Sequence, residues 1–238
     1  MRDGKTRMRT FQEMPELNVE LDTYRIGTLL EGVRELVNAL CADGKRVRVC
    51  VQHAMGTGVF TAVPLALNGV RRLLEGMDWG DAANDLREAG LLRVGGMSAE
   101  DAAAEDDDIF ICIAPQNMNG HSIHGPLAAF CQAAGNRPVI LINARLTDIP
   151  SANNVMSVRG RQERLDFEAE FEQVYHFRLI YNKPMIFPIY GCLRMAYGGP
   201  WELYKRVGVR ENEAYRFTEA FAAEPLPPTI TDAIRREV

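Results

Sequence analysis

Basic excess is the first thing the sequence lacks. Its 27 lysines and arginines are outnumbered by 32 aspartates and glutamates, for a formal net charge of −5. Such a chain does not gather phosphate backbones by bulk charge, so nucleic acid is not expected as a partner. Long apolar runs are missing too: none approaches the roughly 18 residues of a membrane-spanning helix. The five cysteines, Cys41, Cys50, Cys112, Cys131 and Cys192, are odd in number and form no C-x-x-C pair. Most sit in apolar runs, so they are expected as reduced core residues rather than as disulfides or metal ligands. There is no G-x-S-x-G, no G-x-x-x-x-G-K-[ST] phosphate loop and no internal repeat. No catalytic residue, metal or cofactor is therefore expected. What remains is a composition of 47% apolar and 25% charged residues over 238 positions, enough for one large globular domain or two small ones.

The informative stretch is Asp106 to Asn117. Three acids end a loop, Ile109 to Ala114 follow without polar alternation, and Pro115, Gln116 and Asn117 stop the run. A strand apolar on both faces needs cover on both, which marks the interior of a parallel sheet between helices. Val139 to Ile142 repeats the pattern. Arg46 to Gln52 alternates and reads as a third strand, and Leu91 to Val94 as a short fourth ended by Gly95 and Gly96. Between them lie helices. One stripe runs from Ile26 to Leu40, with Asp22 as N-cap and Gly44 closing it. A second helix is expected to start between Phe60 and Pro64 and to carry Leu67, Val70, Leu73, Leu74 and Met77. Others are expected over Ser122 to Ala134 and Gln162 to Phe171.

Further on the pattern changes. Val174 to Tyr181 and Met185 to Met195, joined by Asn182-Lys183-Pro184, read as an antiparallel hairpin. Trp201 to Val207 reads as a short helix. The fold class expected is α/β: three layers, a mostly parallel sheet flanked by helices, and a C-terminal antiparallel hairpin at its edge. Residues 1–21 are expected as an extended lead-in, 22–207 as a single domain, and 208–238 as an arm with little core of its own. Met1 to Arg9 is basic with no apolar core behind it, unlike a secretory signal. It reads as a solvated tail, the alternative being the remnant of a transit sequence. Ser98 to Asp108 holds six acids and is expected as a solvated loop or short helix.

Three groups of residues are candidates for function. His53, Gln116, Asn117, Asn143 and Arg145 follow three different strands and would converge beyond the carboxyl edge of the sheet, where ligands of such folds bind. Arg145 can clamp an anion in bidentate fashion, and the amides can donate and accept. The competing reading is that Asn117 and Asn143 cap turns and Arg145 pairs with an acid. Gly56 and Gly58 follow a strand and precede a helix, as a phosphate cradle would. The third glycine of a dinucleotide fingerprint would fall at Thr61, so a loop requiring positive φ is the stronger reading. Trp201, Tyr204, Lys205 and Arg206 mix aromatic and basic character, which suits contact with a protein or a membrane surface. His121 and His124, three apart, lack the further ligands that a metal site needs.

Four stretches, in order, give the chain a resemblance: Pro15 to Asp22, Ala114-Pro115-Gln116, Pro138 to Leu146, and Tyr175-His176-Phe177-Arg178 through Gly199-Pro200-Trp201-Glu202. They resemble a plastid and cyanobacterial family of unknown biochemical function that includes the plant low photosystem II accumulation proteins. The likeness spans Pro15 to Val207, and Ala144 stands where family members often have proline. It implies a chloroplast protein of the stroma or the thylakoid periphery that binds photosystem subunits and aids their assembly without being an enzyme. The same domain occurs fused to some plastid adenylate kinases, but this chain has no kinase phosphate loop. The alternative is an enzyme or sensor that binds a nucleotide or phosphometabolite at the carboxyl edge.

Overall fold

A computed structural model describes residues 3–12, 22–64, 67–104, 106–118, 120–150, 156–157, 159–183, 186–208 and 214–236. The fold is α/β. The chain divides into two compact units, Met1–Thr10 with Asn18–Glu172 and Phe11–Leu17 with Gln173–Val238. This differs from the single 22–207 domain expected from sequence.

The first unit holds β1 (Arg7–Gln12) up to Thr10, α1 (Asp22–Ala42), β2 (Val47–Val51), α2 (Val70–Gly76), α3 (Asp81–Glu88), β3 (Leu92–Gly96), α4 (Ala99–Ala103), β4 (Ile109–Ile113), α5 (His124–Ala134) and β5 (Val139–Ile142). A two-residue ladder of β6 (Ile149–Pro150) with β7 (Met156–Ser157) and helix α6 (Arg161–Ala169) complete it. The strands run parallel in the order β1-β5-β4-β2-β3. Every residue of β4 and β5 is buried, as their unbroken apolar runs require. On one face Phe110, Cys112 and Leu141 pack with Leu127, Phe130 and Cys131 of α5, Ala102 of α4 and Phe167 of α6. On the other, α1 lies against β2, and α2 and α3 lie against β3. Val33 and Val37 of α1 are fully buried. Gly44, at φ 73, closes α1: its own N–H and that of Lys45 return to the carbonyls of Cys41 and Leu40.

The second unit is an antiparallel meander of β8 (Glu172–Lys183), β9 (Ile186–Ala196), β10 (Trp201–Val207) and β11 (Ala214–Phe221), with helix α7 (Pro227–Arg236). Ile230, Ala233 and Ile234 of α7 bury themselves against Leu193 and Leu203, with Trp201 and Phe221 at the margin.

Several expectations need correction. The end of the solvated tail is a strand: β1 joins the sheet beside β5, and Arg7 donates to the carbonyls of Cys131, Gly135 and Arg137. The rest of the lead-in, 13–21, lies outside the described residues. No α-helix begins between Phe60 and Pro64. A 3-10 turn occupies Gly58–Phe60, and α2 starts only at Val70, after Gly69 at φ 79. Trp201 to Val207 is a strand, because alternation puts Leu203 in the core while its neighbours are only partly covered. Residues 208–238 include β11 and α7 and so contribute core, which an arm would not. Ser98–Asp108 does hold the short helix expected as one alternative, α4, but its last three acids are ion-paired at the amino end of the sheet. Asp106 pairs with Arg93, Asp107 with Arg48 at 2.6 Å, and Asp108 with Arg46 at 2.8 Å. Asp107 is 1% exposed, so its carboxylate depends on that arginine for compensation.

Candidate functional site

The residues that follow β2, β4 and β5 do meet beyond the carboxyl edge of the parallel sheet, and most of them bind each other. Gln52, the residue after β2, is buried. Its side chain accepts from the N–H of Gln116 at 2.8 Å and donates to the Gln116 carbonyl at 3.2 Å. A glutamine amide thus continues the β2–β4 ladder where the backbone has left it. Gln116 bridges Arg145 in parallel register: the Arg145 N–H reaches the Pro115 carbonyl at 2.8 Å, and the Asn117 N–H reaches the Arg145 carbonyl at 3.2 Å.

Asn117 is buried, and both ends of its amide are engaged. Its Nδ2 donates to the carbonyls of Leu146 at 2.5 Å and Asp148 at 3.0 Å, and its Oδ1 accepts from the Ile123 N–H at the start of α5 at 2.8 Å. It ties three segments together and offers nothing to a ligand. Asn143 stands at φ 51 and Ala114 at φ 42, each the first residue after its strand. Asparagine tolerates that left-handed conformation; alanine holds it at a cost of about 1 kcal/mol. Arg145 is exposed, and its guanidinium makes no hydrogen bond or ion pair with a described residue.

His53 has a partner that the sequence reading passed over. Its Nε2 lies 3.1 Å from Oδ2 of Asp101. Asp101 and Ser98 form the capping box of α4, in which the Ser98 hydroxyl donates to the same carboxylate oxygen at 2.6 Å. Burial alone would raise the pKa of Asp101. Hydrogen bonds from the Ser98 hydroxyl, from His53 and from the N–H groups of Ser98 and Gly96 outweigh it and hold the carboxyl at about 2. Gly96 makes the approach possible, since a Cβ there would collide with the imidazole. The Ser98-x-x-Asp101 spacing was the available signal. The serine bonds the aspartate rather than the histidine, so the three side chains are not arranged as a nucleophile with its base.

The glycine loop does not cradle a helix terminus. Met55 and Ala62 exchange both backbone hydrogen bonds, closing the loop on itself around the 3-10 turn. Gly56 at φ 104 and Gly58 at φ 59 supply the conformations this closure needs. His124 packs on the Phe167 ring, and the described residues contain no group of three or more metal-ligating side chains. Burial pushes the thiols up, Cys131 and Cys192 to about 11, so both stay protonated and unreactive.

The partner-binding candidates separate across a sheet. On β10, Trp201 faces the α7 side, where His176 lies 4.8 Å from its ring and stacks in turn on Phe11. Tyr204 and Arg206 face the other way with Glu202. Their cross-strand neighbours on β11 are Phe217 and Tyr215, and on β9 Cys192 and Arg194 stand opposite Tyr204 and Glu202. Glu202 binds Arg194 at 2.6 Å and accepts from the Tyr204 hydroxyl. Lys205 lies on the Trp201 side. The sequence reading missed the exposed members of this face: Tyr190 is 41% exposed, Tyr215 37% and Phe217 52%. Strand alternation across Tyr215 and Phe217 was the signal that would have found them.

A family model for a domain of unknown function, DUF1995, matches residues 1–232. The chain belongs to the DUF1995 family. The match takes in both units, so β10, β11 and most of α7 are part of the family domain. No helix among the described residues is long and apolar enough to cross a membrane.

Proposed function

We propose that this DUF1995 protein is a non-enzymatic accessory or assembly factor that docks on a protein partner through the Tyr204 face of its antiparallel sheet. One contrast carries the reading. The amides at the carboxyl edge bind within the protein, whereas Tyr190, Tyr215 and Phe217 keep a third to a half of their surface exposed on a single unit. Exposed aromatics beside arginine are the composition of interface centres. The resemblance in four stretches of sequence supports a photosystem or other thylakoid complex as the partner, met in the chloroplast with at most peripheral membrane contact. Affinity capture from a plastid extract with the tagged chain tests this. A photosynthetic complex subunit retained by the native chain and lost with Tyr215→Ala/Phe217→Ala is the expected result. Equal retention by both chains would refute it.

A second reading rests on Arg145, the exposed cation beyond the carboxyl edge, and on the His53–Asp101 pair. In this reading the edge binds a nucleotide or phosphometabolite, and Arg145→Ala weakens it. A thermal-shift screen across nucleotides and sugar phosphates in which nothing stabilises the native chain would dispose of that alternative.

A further inference from the structure

Cys50 of β2 and Cys112 of β4 stand directly opposite each other in the parallel register of the two strands. Of the five cysteines they alone share a strand pairing; Cys41, Cys131 and Cys192 lie on α1, α5 and β9. Both are fully buried in the core beneath α4 and α5, so they leave the sheet on the same face. Neighbouring strands lie about 4.8 Å apart, inside the roughly 4.4–6.8 Å between α-carbons that a disulfide spans. The Cys50 S–H donates to the carbonyl of Arg48 on its own strand at 3.8 Å, which leaves its sulfur to accept from Cys112. Burial, and after it the Cys50 thiol, push Cys112 well above the ordinary thiol range. The pair is therefore inert while it stays covered.

The cover is thinnest beside Cys50. Its other strand neighbour is Gly95 of β3, the last strand of the order. Glycine lays no side chain beside the sulfur; the Arg48 side chain and the Asp101 carboxylate lie over that position. Asp101 belongs to α4, which brings Ala102 into the same core as the two thiols. A helix of five residues holds through its cap and its packing on α5, not through its own length. Local opening of α4 is thus the easiest way to uncover Cys50.

We propose that Cys50 and Cys112 form a dithiol that a small-molecule disulfide oxidises, reversibly, to a bridge between β2 and β4 when α4 opens. The Cys50 thiolate attacks one sulfur of R–S–S–R and releases one R–S⁻. The Cys112 thiolate then attacks Cys50 in the mixed disulfide and releases the second. Two S–H bonds give way to one S–S bond, and the two protons and two electrons leave as two molecules of R–SH. Facing β-carbons on neighbouring strands are about 5 Å apart, more than the roughly 3.8 Å of a relaxed bridge. Closure therefore draws the strands together, and a bridge under such strain is the labile, regulatory kind. It latches β2 to β4 just before Gln52 reaches Gln116. This goes beyond the docking reading and does not depend on it.

The test incubates the folded full chain with oxidised glutathione, quenches with acid, alkylates, and maps the non-reduced digest by mass spectrometry. A peptide linked through Cys50 and Cys112 is expected, lost on adding dithiothreitol and still formed by Cys131→Ala. Ser98→Ala, which removes the α4 cap, should speed its formation about five-fold. Hydrogen exchange at Val47–Val51 should slow in the oxidised chain. A native chain that stays fully reduced, or that gains glutathione without the internal link, overturns the proposal. So does a link of Cys112 to Cys131 instead, or a Cys50–Cys112 link that forms only in urea. A rate that Ser98→Ala leaves unchanged overturns the role of α4.

Discussion

The carboxyl edge of the parallel sheet and the Tyr204 face of the antiparallel sheet treat their side chains in opposite ways. At the first, a place where α/β folds bind ligands, Gln52 bonds the Gln116 backbone, Asn117 bonds Leu146, Asp148 and Ile123, and His53 leans on Asp101. At the second, aromatic rings that would add core if covered are left in water. Location within a fold class does not decide where function lies; the state of the groups there does. A polar residue whose donors and acceptors are all engaged is structure, and large aromatics that keep a third to a half of their surface exposed are surface that a partner can cover.

Mutations can break this contrast, and the largest expected effect falls on the edge. Asn117→Ala would strand the buried Leu146 carbonyl and Ile123 N–H and free the Asp148 carbonyl, and should lower unfolding free energy by about 2–4 kcal/mol in urea titrations. A loss below about 0.5 kcal/mol would mean the amide is dispensable to the fold and available for a ligand. Gln52→Ala should follow, at about 1–3 kcal/mol, because the partly buried N–H of Gln116 loses its acceptor.

Acid titration sharpens the same point. Asp101, and Asp108 through the Arg46 guanidinium and backbone N–H, are held at about 2 instead of 3.8. A carboxyl whose folded pKa is depressed stabilises the protein above its unfolded value and loses that contribution as pH falls through the folded one. Stability should therefore fall between about pH 4 and pH 2, and Asp101→Asn should flatten part of that slope while lowering stability at neutral pH. Denaturant midpoints measured across the range check it. A slope identical to that of the native chain would mean that the Ser98 and His53 contacts are not formed in solution.

The smallest expected effect on folding belongs to the other region. Tyr215→Ala and Phe217→Ala should each change stability by about 1 kcal/mol or less, since the rings keep 37% and 52% of their surface exposed on an outer strand. A loss of about 3 kcal/mol would place those rings in a core and remove the contrast.

What could be read from sequence followed the strength of the local pattern. Ile109 to Ile113 and Val139 to Ile142 allow only a doubly covered strand, so the parallel sheet was legible. The hairpin was legible too, because three residues can join strands only antiparallel. Strand β1 was hidden because its arginines look solvated; their guanidiniums in fact reach helix-end carbonyls and Glu168. Trp201 to Val207 is too short for its period to be certain, and reading it as helical put Trp201 and Tyr204 on one surface when the strand places them on opposite faces. The site was half legible. His53, Gln116, Asn117, Asn143 and Arg145 do follow adjoining strands, but no sequence pattern says that Gln52 would close over Gln116. That depends on the register of β2 with β4.

The most direct test of the contrast is parallel capture from one plastid extract with three chains: native, Arg145→Ala, and Tyr215→Ala/Phe217→Ala. Retention of the same partner by the first two and its loss from the third is the predicted outcome. Loss with Arg145→Ala and retention by the aromatic double variant would contradict the account and move the function to the carboxyl edge.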